Sequence, residues 1–232
     1  VNRGCKAISQ SGGANVLVED MGMTRAPVFR VAGIEEGKRI ITWIENNLSK
    51  LKVVAESTSS HLQLLDARSW LVGRSLFVRF RFDTGEAMGM NMVTIASEAI
   101  VKLIERELKI NCVALSGNMC VDKKPNWLNV IEGRAKRVWA EVILNKKLVR
   151  EVLKTTPEAM VEVNYRKNWL GSAMSGSMGF NAHVANVIAA MFIATGQDAA
   201  HVAEVTGITT MEMEGKDLYA GVYLPELPVG VV

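Results

Sequence analysis

The segment Ser116-Gly117-Asn118-Met119-Cys120-Val121-Asp122-Lys123-Lys124-Pro125 places two lysines directly after an aspartate on a turn-rich stretch. An ammonium held on such a loop can stabilise an oxyanion or grip a carboxylate, and the adjacent Asp122 would help to set its charge. Spacing alone leaves open a solvated Asp-Lys-Lys turn. Pro125 fits the first turn of a helix, where its missing N–H costs little. A second turn, Gly85-Glu86-Ala87-Met88-Gly89-Met90-Asn91-Met92, joins a strand to a helix. Gly89 permits close backbone approach, and the N–H groups of the new helix would face a phosphate or amide. The pattern is neither GxGxxG nor Walker A, and a tight turn with core methionines is the plainer alternative. Third, Gly179-Phe180-Asn181-Ala182-His183-Val184-Ala185-Asn186 enters an apolar helix that stops at Gly196-Gln197-Asp198. Asn181 is an N-cap candidate, and Asn186 lies three residues beyond His183 on the same face. Asp198 either caps the following turn or acts as a buried acid whose titration couples to a lysine. Arg3, Lys6, Arg25, Lys154 and Lys167 each adjoin a turn. Such cations suit carboxylates and phosphates, but only convergence in space separates them from surface charge. His61 and His201 have no partner at metal-ligand spacing, so no metal site is expected.

These residues need a frame, and the hydrophobic pattern supplies one. Val28–Val31 reads as a short strand, and Ile34–Lys50 as a helix with Ile40, Ile44 and Leu48 on one face. Val53-Val54-Ala55 predicts another strand, and so does His61–Leu65. Arg74–Phe82 alternates, with Leu76, Val78, Phe80 and Phe82 on one face and Phe77, Arg79 and Arg81 on the other. Met92–Glu107 is helical, with a stripe of Ile95/Ala96, Ala99/Ile100 and Leu103/Ile104, and Cys112–Leu115 follows as a strand. Residues 27–115 then spell β-α-β-β-α-β, the ferredoxin-like split βαβ pattern. Beyond Pro125 helices are predicted at Trp127–Gly133, Lys146–Lys154, Glu158–Asn168 and Asn181–Thr195, with strands at Val138–Leu144, Ile208–Met213 and Leu218–Leu224. The expected class is α+β: a ferredoxin-like small domain, 27–115, inserted into a larger, mainly helical domain formed by 1–26 and 116–232.

Composition narrows the function classes. The 232 residues include 27 Lys+Arg against 24 Asp+Glu, a formal charge of +3, with 49% hydrophobic and 22% charged residues. This is globular usage and excludes a disordered or collagen-like chain. The charge is too small to imply nucleic acid but suits an anionic small molecule. Apolar runs such as Val187–Ala194 fall well short of the ~20 residues of a membrane span, so no membrane contact by this segment is expected. Cys5, Cys112 and Cys120 show no CxxC spacing, which argues against a disulfide frame or zinc knuckle and for a reducing, cytoplasmic setting. Lacking an initiator Met and ending Val229-Gly230-Val231-Val232, the chain reads as an internal piece of something longer.

A set of distinctive blocks is spread along the chain. They are Asn2-Arg3-Gly4-Cys5-Lys6-Ala7-Ile8, Gly22-Met23-Thr24-Arg25-Ala26-Pro27-Val28, Ala87-Met88-Gly89-Met90-Asn91-Met92, and Ser116-Gly117-Asn118 with Asp122-Lys123-Lys124-Pro125. Ile131-Glu132-Gly133-Arg134, Leu153-Lys154-Thr155-Thr156, Asn181-Ala182-His183 and Gly196-Gln197-Asp198-Ala199-Ala200 complete the set. Together they closely resemble the 3-hydroxy-3-methylglutaryl-coenzyme A (HMG-CoA) reductase family, class I type. The resemblance implies a two-step reduction of the thioester by NADPH, through a hemithioacetal and an aldehyde, to mevalonate and CoA. It implies Lys123 as the catalytic lysine and Asp198 as the catalytic aspartate that tunes it. Arg25, Ser116, Asp122, Lys124, Lys167, His183 and Asn186 would hold the HMG group, and Asn2, Arg3, Lys6 and Lys154 the CoA end. The inserted module would bind NADP(H) through Ser59, Ser60 and the turn residues Glu86, Met88, Gly89, Met90 and Asn91.

The sequence departs from the family in three ways. A catalytic glutamate of the family would precede Asn2, and a histidine and a Gly-rich segment would follow Val232, so full turnover is not expected from this stretch alone. Ser60-His61 stands where class I members often carry Arg-Phe, and Glu86 stands for the usual Asp, which leaves NADH open as a donor. The resemblance also implies a homodimer or higher homo-oligomer with shared active sites. The competing reading is a non-catalytic ferredoxin-like module that binds a metabolite or serves oligomerisation. It gives no reason for Lys123 Nζ to lie within about 3.5 Å of the Asp198 carboxylate, as catalysis requires.

Overall fold

The structure, a computed structural model, describes residues 1–231. The chain opens with α1 (Asn2–Gln10), β1 (Asn15–Arg25) and β2 (Val28–Arg30), followed by α2 (Ile34–Asn46), α3 (Leu48–Glu56), β3 (Gln63–Val72) and β4 (Ser75–Asp83). Next come α4 (Met90–Leu108), β5 (Asn111–Ala114), α5 (Trp127–Glu132), β6 (Arg134–Leu144) and α6 (Lys146–Leu148), which runs into a π-helical turn at Val149–Leu153. Then follow α7 (Pro157–Val163), a π-helical stretch at Asn164–Gly171, α8 (Ser172–Ser175), α9 (Val184–Ala194), a 3₁₀ turn at Ala199–Glu204, β7 (Ile208–Glu214) and β8 (Asp217–Leu227). Two compact units result: Asp20–Asp122 with the tail from Pro228, and Val1–Glu19 with Lys123–Leu227.

In the first unit, β4 is the central strand of an antiparallel sheet. β3 lines one of its edges. Along the other edge run the end of β1 (Met23↔Phe82, Arg25↔Phe80) and then β2 (Val28↔Phe77, Arg30↔Ser75), with β5 outside β2. Alternation dictates this: Leu76, Val78, Phe80 and Phe82 are all fully buried, each worth about 1.5–3 kcal/mol as a core side chain. On the opposite face Phe77 and Arg81 are half-buried. Arg79 is buried there, and Arg81 pairs with Asp66 of β3.

Four local expectations change. Val53-Val54-Ala55 is not a strand but the last turns of α3, where Leu51 and Ala55 are buried and Val53 is exposed; a short apolar run has no period of its own to separate strand from helix. The strand placed at 61–65 is the ten-residue β3, paired with β4 through a tight turn at Gly73 (φ +57°). The buried stripe of α4 is rotated: Val93, Ala96, Ile100 and Ile104 face inward and Ile95 is exposed. That helix begins two residues earlier than expected because Gly89 (φ +88°) provides its N-cap, where a Cβ would lie 2.5 Å from the Thr84 side chain.

In the second unit the three strands expected among the helices form one antiparallel sheet, β6–β8–β7. Ala7 of α1, Leu144, Leu148, Val149 and Leu218 make its core cluster. The predicted helices at 146–154 and 158–168 both widen into π-helix, a feature frequent at functional sites. Lys154 caps the first in a left-handed conformation (φ +61°), and Lys167 lies in the second. Pro125 precedes α5 rather than sitting in its first turn, since Asn126 is the cap and accepts from Asn129 N–H at 2.7 Å. The helix expected from Asn181 starts at Val184, whose N–H is taken by Asn181 Oδ1 at 3.0 Å while the Asn181 amide is held by the Thr206 and Gly207 carbonyls.

Candidate active site

Three non-glycine residues in one short stretch adopt the left-handed region: Asn118 (φ +66°), Val121 (φ +51°) and Lys123 (φ +58°). Each such residue costs about 1–3 kcal/mol, most for a β-branched one, and persists only where its surroundings hold it. In the first unit the holders are visible. Gly117 N–H donates to the Ala26 carbonyl at 2.7 Å, Thr24 Oγ1 donates to the Cys120 carbonyl at 3.1 Å, and Ser116 Oγ meets Cys120 Sγ at 3.2 Å. The loop is therefore pinned to the break between β1 and β2, next to Arg25. The Arg25 guanidinium is itself fixed by two bonds to Thr94 Oγ1 of α4, at 3.0 and 2.8 Å.

In the second unit, Lys123 Nζ lies 2.7 Å from Asp198 Oδ2, both side chains being partly open to solvent. Asp198 caps the 3₁₀ turn by accepting Ala200 N–H at 3.0 Å. The Lys123 ammonium holds the Asp198 carboxyl below the ordinary carboxylate range, with the Ala200 N–H acting in the same sense and burial opposing both. The folded value lies below the unfolded one. The pair's contribution to stability is therefore complete above the ordinary aspartate value, about pH 4, and is lost as pH falls through the folded value. A carbon-13 titration of the Asp198 carboxyl is expected to give a midpoint below that of an unperturbed aspartate, and Lys123→Ala is expected to raise it. A wild-type midpoint at or above that of an unperturbed aspartate contradicts the pairing.

Residues that spacing did not single out stand behind this pair. Buried Glu204 accepts Lys123 N–H on Oε1 at 2.6 Å, meets His201 Nδ1 on the same oxygen at 2.7 Å, and pairs through Oε2 with buried Arg134. His201 Nε2 stands 3.6 Å from Asp198 Oδ2. The available signal was the interval of three in Asp198, His201 and Glu204, which stacks side chains on a 3₁₀ turn.

The other site candidates fall into groups. Arg3 and Lys6 are exposed on α1 with Asn2, and α1 packs on the π-turn that ends at Lys154. Lys154 also lines a cleft of about 950 Å³ with Lys146, Lys147, Arg150 and Lys216. Lys167, His183 and Asn186 are exposed, and Asn186 N–H donates to the His183 carbonyl at 3.1 Å. Their segments meet where Trp169 packs edge-on against Phe180, with ring centroids 6.2 Å apart. Lys124 is exposed and Asp122 half-buried. In the first unit, Ser59 Oγ accepts His61 N–H at 3.2 Å, with Ser60 exposed between them. A Cβ on Gly85 would stand 3.9 Å from the His61 carbonyl, so this turn adjoins the Glu86–Asn91 turn. There Thr84 Oγ1 donates to the Ala87 carbonyl at 2.8 Å, Val231 N–H donates to the Glu86 carbonyl at 2.8 Å, and Met88, Gly89 and Met90 are half-buried beside exposed Asn91.

An ammonium and a carboxylate in hydrogen-bond contact, on a strained loop with a buried anchor, form an arrangement able to stabilise negative charge. The whole chain, residues 1–232, matches the hydroxymethylglutaryl-coenzyme A reductase family, and it belongs to that family. It is 52% identical to the 3-hydroxy-3-methylglutaryl-coenzyme A reductase of Haloferax volcanii over 233 residues, covering 100% of this chain and 58% of that protein. Against the Methanocaldococcus jannaschii reductase the figures are 52% identity, 100% and 59%. The chain thus spans less than two thirds of the length of these relatives. A class II reductase from Streptococcus pneumoniae, solved bound to NADPH in open conformations, shares the fold at a TM-score of 0.71 and 19% identity, over 97% of this chain and 63% of that one.

Proposed function

We propose that the protein to which this chain belongs reduces HMG-CoA to mevalonate and CoA with NADPH, and that Lys123 and Asp198 work at its reacting centre. The contact of 2.7 Å between Lys123 Nζ and Asp198 carries the reading. As hydride reaches a thioester carbonyl carbon, negative charge collects on the oxygen, and a preorganised ammonium stabilises that charge more than the ground state. Asp198, ionised, pairs with the Lys123 ammonium and directs it. The same ammonium would serve the second hydride step at the aldehyde oxygen.

Arg25 and Lys124 are proposed as clamps for the acyl carboxylate, with Ser116, Asp122, Lys167, His183 and Asn186 holding the rest of the HMG group. Asn2, Arg3, Lys6 and Lys154 would hold the CoA end. The cationic cleft around Lys154 supports this, since CoA carries several phosphate charges. The segment 27–115, between 1–26 and 116–232, is proposed as a ferredoxin-like nucleotide domain; the strand order β5-β2-β4-β3 and the two helical connections support it. Ser59, Ser60 and Glu86–Asn91 fit a nucleotide, because the turn has no room for a Cβ at Gly89 and opens the 19-residue α4. The bound dinucleotide would supply the hydride. Assembly as a homo-oligomer is part of the proposal, supported by exposed Met191 and Ile193 on the apolar α9. Among the described residues no helix is long and apolar enough to cross a membrane.

Following NADPH and NADH oxidation with HMG-CoA on the full-length protein tests the proposal; absence of substrate-dependent oxidation with either nucleotide refutes it. Arg25→Ala is expected to raise KM for the acyl substrate about tenfold or more, as loss of a charge-assisted bond to a carboxylate costs ~1.5–3 kcal/mol. An unchanged KM removes Arg25 from the clamp.

A further inference from the structure

The buried carboxylate behind the lysine has its own role. We infer that Glu204 is a positioning residue for Lys123, an inference that rests on the reductase reading for its kinetic consequence but not for its geometry. Lys123 has a left-handed backbone, uncommon for a residue other than glycine, and here it is not a helix C-cap. Its N–H is taken at 2.6 Å by Glu204 Oε1, and the carboxylate is in turn locked by His201 Nδ1 at 2.7 Å and by Arg134. Glu204, His201 and Arg134 are all fully buried, so the anchor sits in a low dielectric where its bonds are strong and its freedom small.

Both ends of the lysine are thereby referenced to one short element. Glu204 holds the main chain, and Asp198, six residues earlier at the cap of the same 3₁₀ turn, holds the ammonium. The stacking of Asp198, His201 and Glu204 at intervals of three makes that turn a single ruler. Releasing the main-chain bond lets the Lys123 peptide relax out of the left-handed region and carries Nζ away from Asp198. Glu204 is fully buried and acts through Lys123.

The test compares two double variants of the full-length protein, Glu204→Leu/Arg134→Met and Glu204→Gln/Arg134→Met. Both remove the buried ion pair, but only glutamine leaves an oxygen for Lys123 N–H. The leucine variant is expected to lose about 10²-fold in kcat with the acyl-CoA KM little changed, as an ångström-scale misplacement does, and glutamine to recover most of that loss. Equal losses in the two, or wild-type kcat in the leucine variant, overturn the inference. Should the leucine variant not fold, Glu204→Asp keeps the charge but shortens the reach, and wild-type kcat there overturns it equally. If the wild-type protein shows no hydride transfer, the reductase reading falls by itself. The crystal structures of the same variants then decide: Lys123 still left-handed and still 2.7 Å from Asp198 without the Glu204 carboxylate overturns the inference.

Discussion

Replacing Lys123 by alanine in the full-length protein is expected to lower kcat for HMG-CoA reduction by about 10³-fold or more while leaving the Kd of the CoA ester within a few-fold, the pattern of a group that acts on the transition state. Nζ is the atom 2.7 Å from Asp198, and the alanine variant keeps every other cation assigned to the substrate. Ground-state affinity should survive if, as proposed, it is spread over Arg25, Lys124 and the CoA-end residues Arg3, Lys6 and Lys154. The loss in rate has a second source. Without the ammonium, the Asp198 carboxylate faces the proposed position of the developing negative charge without its cation, so the variant is expected to be worse than one that merely lacks a donor. Stopped-flow hydride transfer together with equilibrium binding of the CoA ester separates the two quantities. Equal losses in binding and in rate would make Lys123 a binding cation and nothing more.

Arg134→Met is expected to be the most destabilising single change near the site, costing about 3–5 kcal/mol, because it strands a buried carboxylate without its cation. Arg134 and Glu204 are both fully buried and in direct ion-pair contact. Adding Glu204→Gln to Arg134→Met should recover much of that loss, since the unpaired charge is then gone. Denaturant midpoints of the single and double variants measure this. A single variant within about 1 kcal/mol of wild type would mean that the carboxylate finds water or another cation, and that the pair is not what holds Glu204 in place.

Local pattern carried much of the architecture. The alternation in Arg74–Phe82 predicts a buried strand, and Leu76, Val78, Phe80 and Phe82 are fully buried. Gly196 predicts a helix stop and Asp198 either a cap or a buried acid, and Asp198 Oδ1 accepts the Ala200 N–H as a cap. Such features were legible because period and capping depend on neighbours within a few residues. Where an element lacked a period of its own, as in Val53-Val54-Ala55, packing of Leu51 and Ala55 in α3 decided the outcome. The π-helical widening around Lys154 and Lys167 left no mark that residue spacing could reveal.

The primary structure gave Lys123 and Asp198 their residue types, and the resemblance to the reductase family gave their expected partnership. It could not supply the anchor. Glu204 reaches Lys123 across 81 residues of chain and Arg134 across 70. Its neighbours in sequence, Val202, Ala203 and Val205, say only that it lies on a short apolar turn. Burial of that turn turned an ordinary glutamate into a desolvated acceptor with a guanidinium on one oxygen and a strained peptide on the other. Long-range contacts of this kind arise from the packing of whole elements, and no local window of sequence contains them.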